Sequence, residues 1–432
     1  MTQSPKSRIA TLFIGPVRKS DSNYIRELIR CGCEVVALCP NIKPAAKIRG
    51  VKKLVRVDFH DRKVVCDRAT KLHARYHFAT VVVIYEFHIE IAAAVRRALK
   101  IKGMRPEVAR IVRDKFFMSN VLSKAGISFP ATVKYPCKSP TKRLGPPEWL
   151  LKPRLAAANL GVRTIRKESE LRPTYRNALK SVRNSTHLLM AGGDLGRLWI
   201  LSEFVTGSEF EAHLVVHSGQ LVFKCVMQKF ATKIGDYIYE TRMIMPADVS
   251  KRMEKVIDDF LLRVVAAIRT HVANPSGEDS FVCYPEFIVR RRKVICLEIA
   301  YRCGGTATAV ELGTGVNLHR IAAQIHAKKL NTVRKTRDRA VCMQIMYSTS
   351  PGKIEALPKL TKSNTFKYHW VKHPNAYIKD PPSEYVGFLY TTGSTAKQAA
   401  LRMDVAVSKI LIKVGGQEIP QSKFLKFKTR ML

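Results

Sequence analysis

Two apolar runs joined by three arginines constrain this chain most: Phe281 to Gly305, FVCYPEFIVRRRKVICLEIAYRCGG. Val, Ile, Phe and Tyr on either side of a short polar cluster predict a β-hairpin. With the turn centred on Arg292, partners are positions whose numbers sum to 584. Glu286 and Glu298 then face each other, with Cβ atoms about 5 Å apart. Their face carries Tyr284, Ile288, Cys296 and Ala300. The other carries Phe287, Val289, Ile295, Leu297 and Ile299. Both faces are mostly apolar, so the hairpin is expected to be buried on both sides. Two facing carboxylates there repel and resist desolvation. A divalent cation resolves the conflict. So does an exposed sheet edge, or an ion pair with Arg302. These readings stay open on the pattern alone.

The chain of 432 residues is long enough for two to four structural units. It has no apolar run near 18 residues, and its start, MTQSPKSRIA, lacks the apolar stretch of a signal peptide. The expectation is a cytoplasmic protein with no membrane partner. Its ten cysteines are scattered, and Cys31, Cys33 and Cys39 lack a second CxxC or a His pair, so buried thiols are expected rather than a metal site. The net charge of +41 is diffuse rather than collected in one arm. Nucleic acid is therefore kept as a partner but not favoured. Only the tail SKFLKFKTRML alternates basic with apolar residues, and it is read as solvated.

RIATLFIG, then the amphipathic SDSNYIRELIRCG, then EVVALCP, form a β-α-β opening of the doubly wound kind. TVVVIYEF and IEIAAAVRRALK continue it. No GxGxxG follows the first strand, so a dinucleotide site is not supported. PEVARIVRDKFFMSNVLSKAG reads as one or two helices. PCKSPTKRLGPPE is a linker, and WLLKP opens a new unit. HLLMAGGDLGRLW holds a glycine-rich turn. WILSEFVTGSEFEAHLVVHSGQLVFKCVMQ reads as three strands. SKRMEKVIDDFLLRVVAAIRTHV is an amphipathic core helix. From about Asp338 a last α+β unit follows. The expected divisions are 1–105, 106–205 and 206–432.

Three features converge on the paired glutamates. Lys152 ends a strand before the small-residue loop RLAAANLG, where backbone N–H groups can approach a phosphate. Lys115 lies on an amphipathic helix. LSEFVTGSEFE places Glu203 before a bend, where the backbone at Phe204 and Val205 can meet a purine edge, and a carboxylate can take an exocyclic amine or a ribose hydroxyl.

The order DK–helix–AG, LLKP–small loop–GV, SEFVTGSEFE, PEFIV–turn–LEIAYRCGG and TGVNLHRIA resembles the ATP-grasp superfamily, and within it the L-amino-acid ligase and carnosine-synthase-like carboxylate–amine ligases. The resemblance implies α/β and α+β architecture: an N-terminal Rossmann-like (pre-ATP-grasp) αβα domain followed by a two-subdomain ATP-grasp fold. It implies ATP, with magnesium or alternatively manganese. Lys115 and Lys152 would contact the phosphates. Glu203, with the backbone of Phe204 and Val205, would hold adenine, and Glu211 the ribose. Glu286 and Glu298 would bind the metal, and Arg302 an acyl phosphate or substrate carboxylate. Lys229, within a segment (226–245) expected to cover the site, is a further phosphate contact. The implied reaction joins a small-molecule carboxylate and an amine, in a chain expected to form a homodimer. Two departures stand out. Ala300 replaces the usual Asn ligand, and the loop after Lys152 lacks the family's usual glycines. The competing readings are a carboxylase or purine-pathway enzyme, modification of a protein tail, and a non-catalytic protein that binds an acidic partner.

Overall fold

The computed structural model describes residues 8–17, 22–40, 48–185, 195–234, 237–379, 381 and 384–425. The glycine-rich turn expected after His187 and most of the basic tail lie outside these residues. The strands in chain order are β1 (Ile9–Ile14), β2 (Cys33–Pro40), β3 (Val51–Val57), β4 (Thr80–Val83), β5 (Thr132–Tyr135), β6 (Trp149–Pro153), β7 (Arg163–Ile165) and β8 (Trp199–Glu203). There follow β9 (Ser208–His217), β10 (Gln220–Ile234), β11 (Tyr237–Met245), β12 (Phe281–Arg290), β13 (Lys293–Ala300), β14 (Ala340–Met346), β15 (Gly352–Ala356) and β16 (Phe366–Trp370). The last four are β17 (Tyr377–Ile378), β18 (Gly387–Gly393), β19 (Leu411–Val414) and β20 (Gln417–Pro420).

The opening segment forms a parallel sheet in the order β3-β2-β1-β4. Leu12, Phe13 and Ile14 are fully buried in succession, as a parallel strand covered on both faces requires. Leu12 and Ile14 pack toward the helices Arg62–Tyr76 and Ile89–Ala98. Phe13 packs toward Tyr24 and Leu28 of the helix Ser22–Arg30, and that core also contains Ala323 and Ala327 from far along the chain. The N-terminal sheet is therefore welded to the last third of the protein.

A four-stranded antiparallel sheet follows, in the order β5-β8-β6-β7. Trp149 and Trp199 fill its core. The largest sheet is antiparallel throughout, in the order β13-β12-β9-β10-β11-β14-β18-β16. Its first strands are backed by the helix Lys251–Ile268, which buries Ile257, Phe260, Leu261 and Val264 at helical spacing. The helices Pro106–Arg113 and Lys115–Lys124, grouped by sequence with the central unit, pack on this core too, through Val108, Val112, Met118 and Leu122. The terminal α+β unit extends the same sheet through β14, β18 and β16, and adds a small sheet of β17, β15, β19 and β20.

The hairpin β12–β13 forms with a revised register. Arg291 and Arg292 occupy a two-residue turn, so Arg290 pairs with Lys293 and Phe287 with Cys296. These pairs sum to 583. A bulge then inserts one residue, and Glu286 pairs with Glu298 as expected. The bulge also reassigns the faces. Cys296 joins Phe287 in the helix-backed core, while Ile295 and Leu297 lie with Ile288 and Val205.

Candidate active site

Strand pairing builds the site, because directly opposed residues share a face. Glu298 opposes Glu286, and Glu286 opposes Glu211 across β12 and β9. One row along, Ile288 opposes Glu209, which opposes Lys229 on β10. Glu240 on β11 pairs with Ala231, two residues from Lys229. Five carboxylates and one ammonium thus face the same way.

Their environments separate them. Glu209, Glu240 and Glu286 gather around Lys229 at 3.2, 3.1 and 2.9 Å. Glu298 takes Lys115 instead, at 3.2 Å. These four carboxylates are each about a quarter exposed, whereas the Lys229 side chain is 2% exposed beneath them. Counting the four carboxylates against Lys229, Lys115 and the facing Lys152 leaves one negative charge in excess. Burial pushes the Glu286 carboxyl up to about 7; Lys229 opposes the shift, and the charges of Glu240, Glu211 and Glu298 add to it. The cations present do not neutralise this surface, and oxygen-rich, electron-excess clusters of this kind suit magnesium-class ions. Glu209, Glu240 and Glu286 also bring one oxygen each within 4.8 Å of one another.

Glu211 is the correction. It is 3% exposed, with its carboxylate taken by the Thr306 hydroxyl and by His213 Nε2 at 3.2 Å. Burial alone would raise its pKa, but these bonds and the His213 and Lys229 charges hold it below the ordinary carboxylate value. A carboxylate so enclosed is not offered to a ligand in the cleft. Glu209, two residues nearer the Gly207 bend, is. Period-two alternation puts both on one face, and proximity to the bend was the signal that could have favoured Glu209.

The facing wall carries the lysines. Lys152 lies on β6 opposite Ile200. Burial, and then the charge of Lys115, lower its pKa to about 8, with Glu298 and Glu286 opposing weakly. Lys115 also donates to the carbonyl of Ala156 at 2.5 Å. The loop after Lys152 is pinned by the neighbouring Asp114, which binds Arg154 through both oxygens at 2.9 and 2.5 Å. Where the loop lacks the family's usual glycines, Ala158 and Asn159 themselves adopt positive φ, 56° and 55°.

Between the two walls runs the 204–207 linker. Val205 packs with Ile288, Ile295 and Leu297 into a small apolar slot. Glu203 stands at the slot's edge, 3.6 Å from Arg290. Arg302 does not pair with Glu298. Its Nε donates to Glu86 at 2.5 Å, and its guanidinium lies 5.3 Å from the centre of the Tyr284 ring. Glu86 also accepts from Arg113 at 2.9 Å and is 3% exposed. Sequence reading missed Glu86. A single carboxylate at the carboxyl end of a parallel strand, in TVVVIYEF, was the available signal. Ala300 opposes Tyr284, two residues beyond Glu298 and on its face.

Two antiparallel sheets thus face each other, with Lys152 on one and the carboxylates on the other, and Lys115 reaches in from a helix. Residues 147–310 match the family model described as an ATP-grasp domain. The L-amino acid ligase from Bacillus licheniformis is similar over 95% of this chain and 100% of its own, with a TM-score of 0.76 and 17% identity. The phosphoribosylglycinamide synthetase from Anaerococcus prevotii matches over 94% and 100%, at 0.66 and 16%. The biotin carboxylase domain of the Hydrogenobacter thermophilus 2-oxoglutarate carboxylase, solved with MgADP, matches over 95% and 92%, at 0.68 and 15%. No curated protein matches the chain in sequence. No helix among the described residues is long and apolar enough to cross a membrane.

Proposed function

We propose that this chain is an ATP-dependent carboxylate–amine ligase acting on amino-acid-type small molecules. The single observation behind this reading is the facing of Glu286 and Glu298 across one hairpin, in a carboxylate cluster with excess negative charge, opposite Lys152 and Lys115. ATP is a substrate. Its adenine would lie in the slot of Val205, Ile288, Ile295 and Leu297, against the backbone of Phe204 and Val205 and the carboxylate of Glu203. Glu209, in place of Glu211, would take the ribose hydroxyls.

The γ-phosphoryl group passes to a substrate carboxylate, giving an acyl phosphate and ADP. The amine attacks the acyl carbon, the C–N bond forms, phosphate leaves and a proton is released. No covalent enzyme nucleophile is needed, because positioning and charge stabilisation supply the rate. Lys115 and Lys152 would hold the phosphate chain. Lys229 fixes the three glutamates around it. Glu86 orients Arg302, whose guanidinium would meet the carboxylate or the acyl phosphate. Magnesium held by Glu286 and Glu298 would offset the phosphate charge; manganese is the alternative ion. The homodimer and the cytoplasmic setting belong to this proposal as well.

The test is phosphate release from ATP and magnesium across a panel of carboxylates and amines. A carboxylate–amine pair should raise release well above background, and Glu298→Gln should lower it at least about 100-fold. No release with any pair, with Glu298→Gln indistinguishable from wild type, defeats the reading. Release with bicarbonate alone would move it to the carboxylases.

A further inference from the structure

Three two-residue hairpin turns in the described residues have both central residues at positive φ. Ser218-Gly219 has 47° and 75°, and Gly415-Gly416 has 56° and 78°. The third, Arg291-Arg292, has 47° and 65°. Two-residue turns of this kind favour Asn-Gly or Gly-Gly, because a Cβ is strained at positive φ. Gly415-Gly416 follows that rule, Ser218-Gly219 departs from it at one position, and Arg291-Arg292 departs at both. Strain retained at two adjacent positions points to a use for the side chains rather than the backbone.

Those side chains border a cavity of about 380 Å³ lined by Arg263, Arg291, Arg292, Lys293, Ser128 and Phe260, among others, with no carboxylate in its wall. The four cations are exposed, and none has an ion pair or side-chain hydrogen bond among the described residues. They come from two elements, three from the hairpin tip and Arg263 from the helix Lys251–Ile268. The cavity is separate from the cleft: five residue steps along the strand, roughly 16 Å, separate Arg291 from Glu286.

We propose that this cavity is a binding site for a chain of consecutive phosphoryl groups, a free oligophosphate of three or more units. Guanidinium forks match phosphate oxygens two at a time. Four cations in about 380 Å³ match a ligand of comparable charge and small volume. The site is independent of the nucleotide cleft, so it stands or falls separately from the ligase reading.

The probe is inorganic tripolyphosphate, titrated calorimetrically into the full chain. Wild type should take up two equivalents, one in the cleft and one at the hairpin. R291N/R292G restores a relaxed turn, so the hairpin should fold, with a thermal midpoint higher by about 1–3 °C. It should lose the hairpin equivalent, with affinity there at least about tenfold weaker. K115M/K152M should lose only the cleft equivalent. K71N/K180N, which removes the same number of charges elsewhere, should keep both. The proposal is overturned if R291N/R292G binds tripolyphosphate unchanged, or if K71N/K180N loses as much as R291N/R292G. An unraised midpoint removes the strain argument and overturns it too. Orthophosphate binding as tightly as tripolyphosphate would also defeat it, as would a single-stranded oligonucleotide binding more tightly through the same arginines.

Discussion

Lys152 and Lys229 face one cleft from opposite walls, both substantially withdrawn from water, and their ammonium groups are perturbed in opposite directions. Burial opposes the charge of each. At Lys229, Glu240, Glu286 and Glu209 overcome it and raise the pKa well above the ordinary value. At Lys152 the nearest strong neighbour is another cation, Lys115, and the pKa falls to about 8. The company a lysine keeps, more than its burial, decides which charge it lacks. Lys229 already has its anions and works as a structural counter-ion. Lys152 has a cation as its strongest charged neighbour, which fits the phosphate contact proposed for it. The sequence expectation gave both lysines one role, and the contrast separates them.

The largest effect should come from Lys229→Met. Three carboxylates would then share a pocket with no cation, and removing one partner of a buried ionic group typically destabilises by about 3–5 kcal/mol. Thermal unfolding should show a large fall in midpoint. Millimolar calcium should recover part of it in the variant and much less in wild type, because three oxygens within 4.8 Å then stand free for the ion. An unchanged midpoint would mean that the carboxylates are solvated enough to need no counter-ion, and the comparison would break.

Lys152→Met should act in the opposite direction on the empty protein. The folded pKa of about 8 lies below the ordinary 10.5, so the unfolded chain binds the extra proton between those values. Wild-type stability therefore carries a penalty below pH 8 that is relieved as pH rises from 8 to 10.5. The full shift corresponds to about 3 kcal/mol, reduced to roughly 1–2 kcal/mol by residual hydration. The variant should be stabilised by that amount at pH 7 and should lose this part of the pH slope. Its affinity for ATP should fall about 100-fold. A variant less stable than wild type at pH 7 would show that Lys152 is not short of an anion.

How far the sequence made this visible follows from what alternation can encode. The facing of Glu286 and Glu298 was legible, since apolar runs and a polar turn set a register. The bulge was not, because a period of two carries no mark of an extra residue. Two errors cancelled: the turn lay half a residue from its expected centre, and the bulge restored the sum. Glu211 shows the complementary limit. It shares a face with Glu209, and what encloses it is Thr306, some 95 positions away. The parallel N-terminal sheet was legible from short apolar strands alternating with helices. The recruitment of β14, β18 and β16 into the large sheet depends on long-range edge pairing, which local patterns do not record.

The smallest effect concerns the carboxylate wall itself. Ala300→Asn adds a neutral donor on the face of Glu298 without changing any charge. If the excess of carboxylates alone governs cation binding, an added amide should do nothing. If ligand number also limits it, the magnesium concentration for half-maximal phosphate release should fall by about three- to tenfold, with the Lys152-linked stability slope untouched. Ala300 is 2% exposed and opposes Tyr284, so the amide must share space with that ring, and a modest loss of thermal stability should accompany the change. A magnesium titration that is unmoved, in a protein of near-wild-type midpoint, would assign the wall's cation affinity to charge and leave the missing Asn without consequence. A shift confined to magnesium dependence would show that Lys229 and the glutamates supply the charge balance while the number of oxygen donors sets how tightly an ion is held.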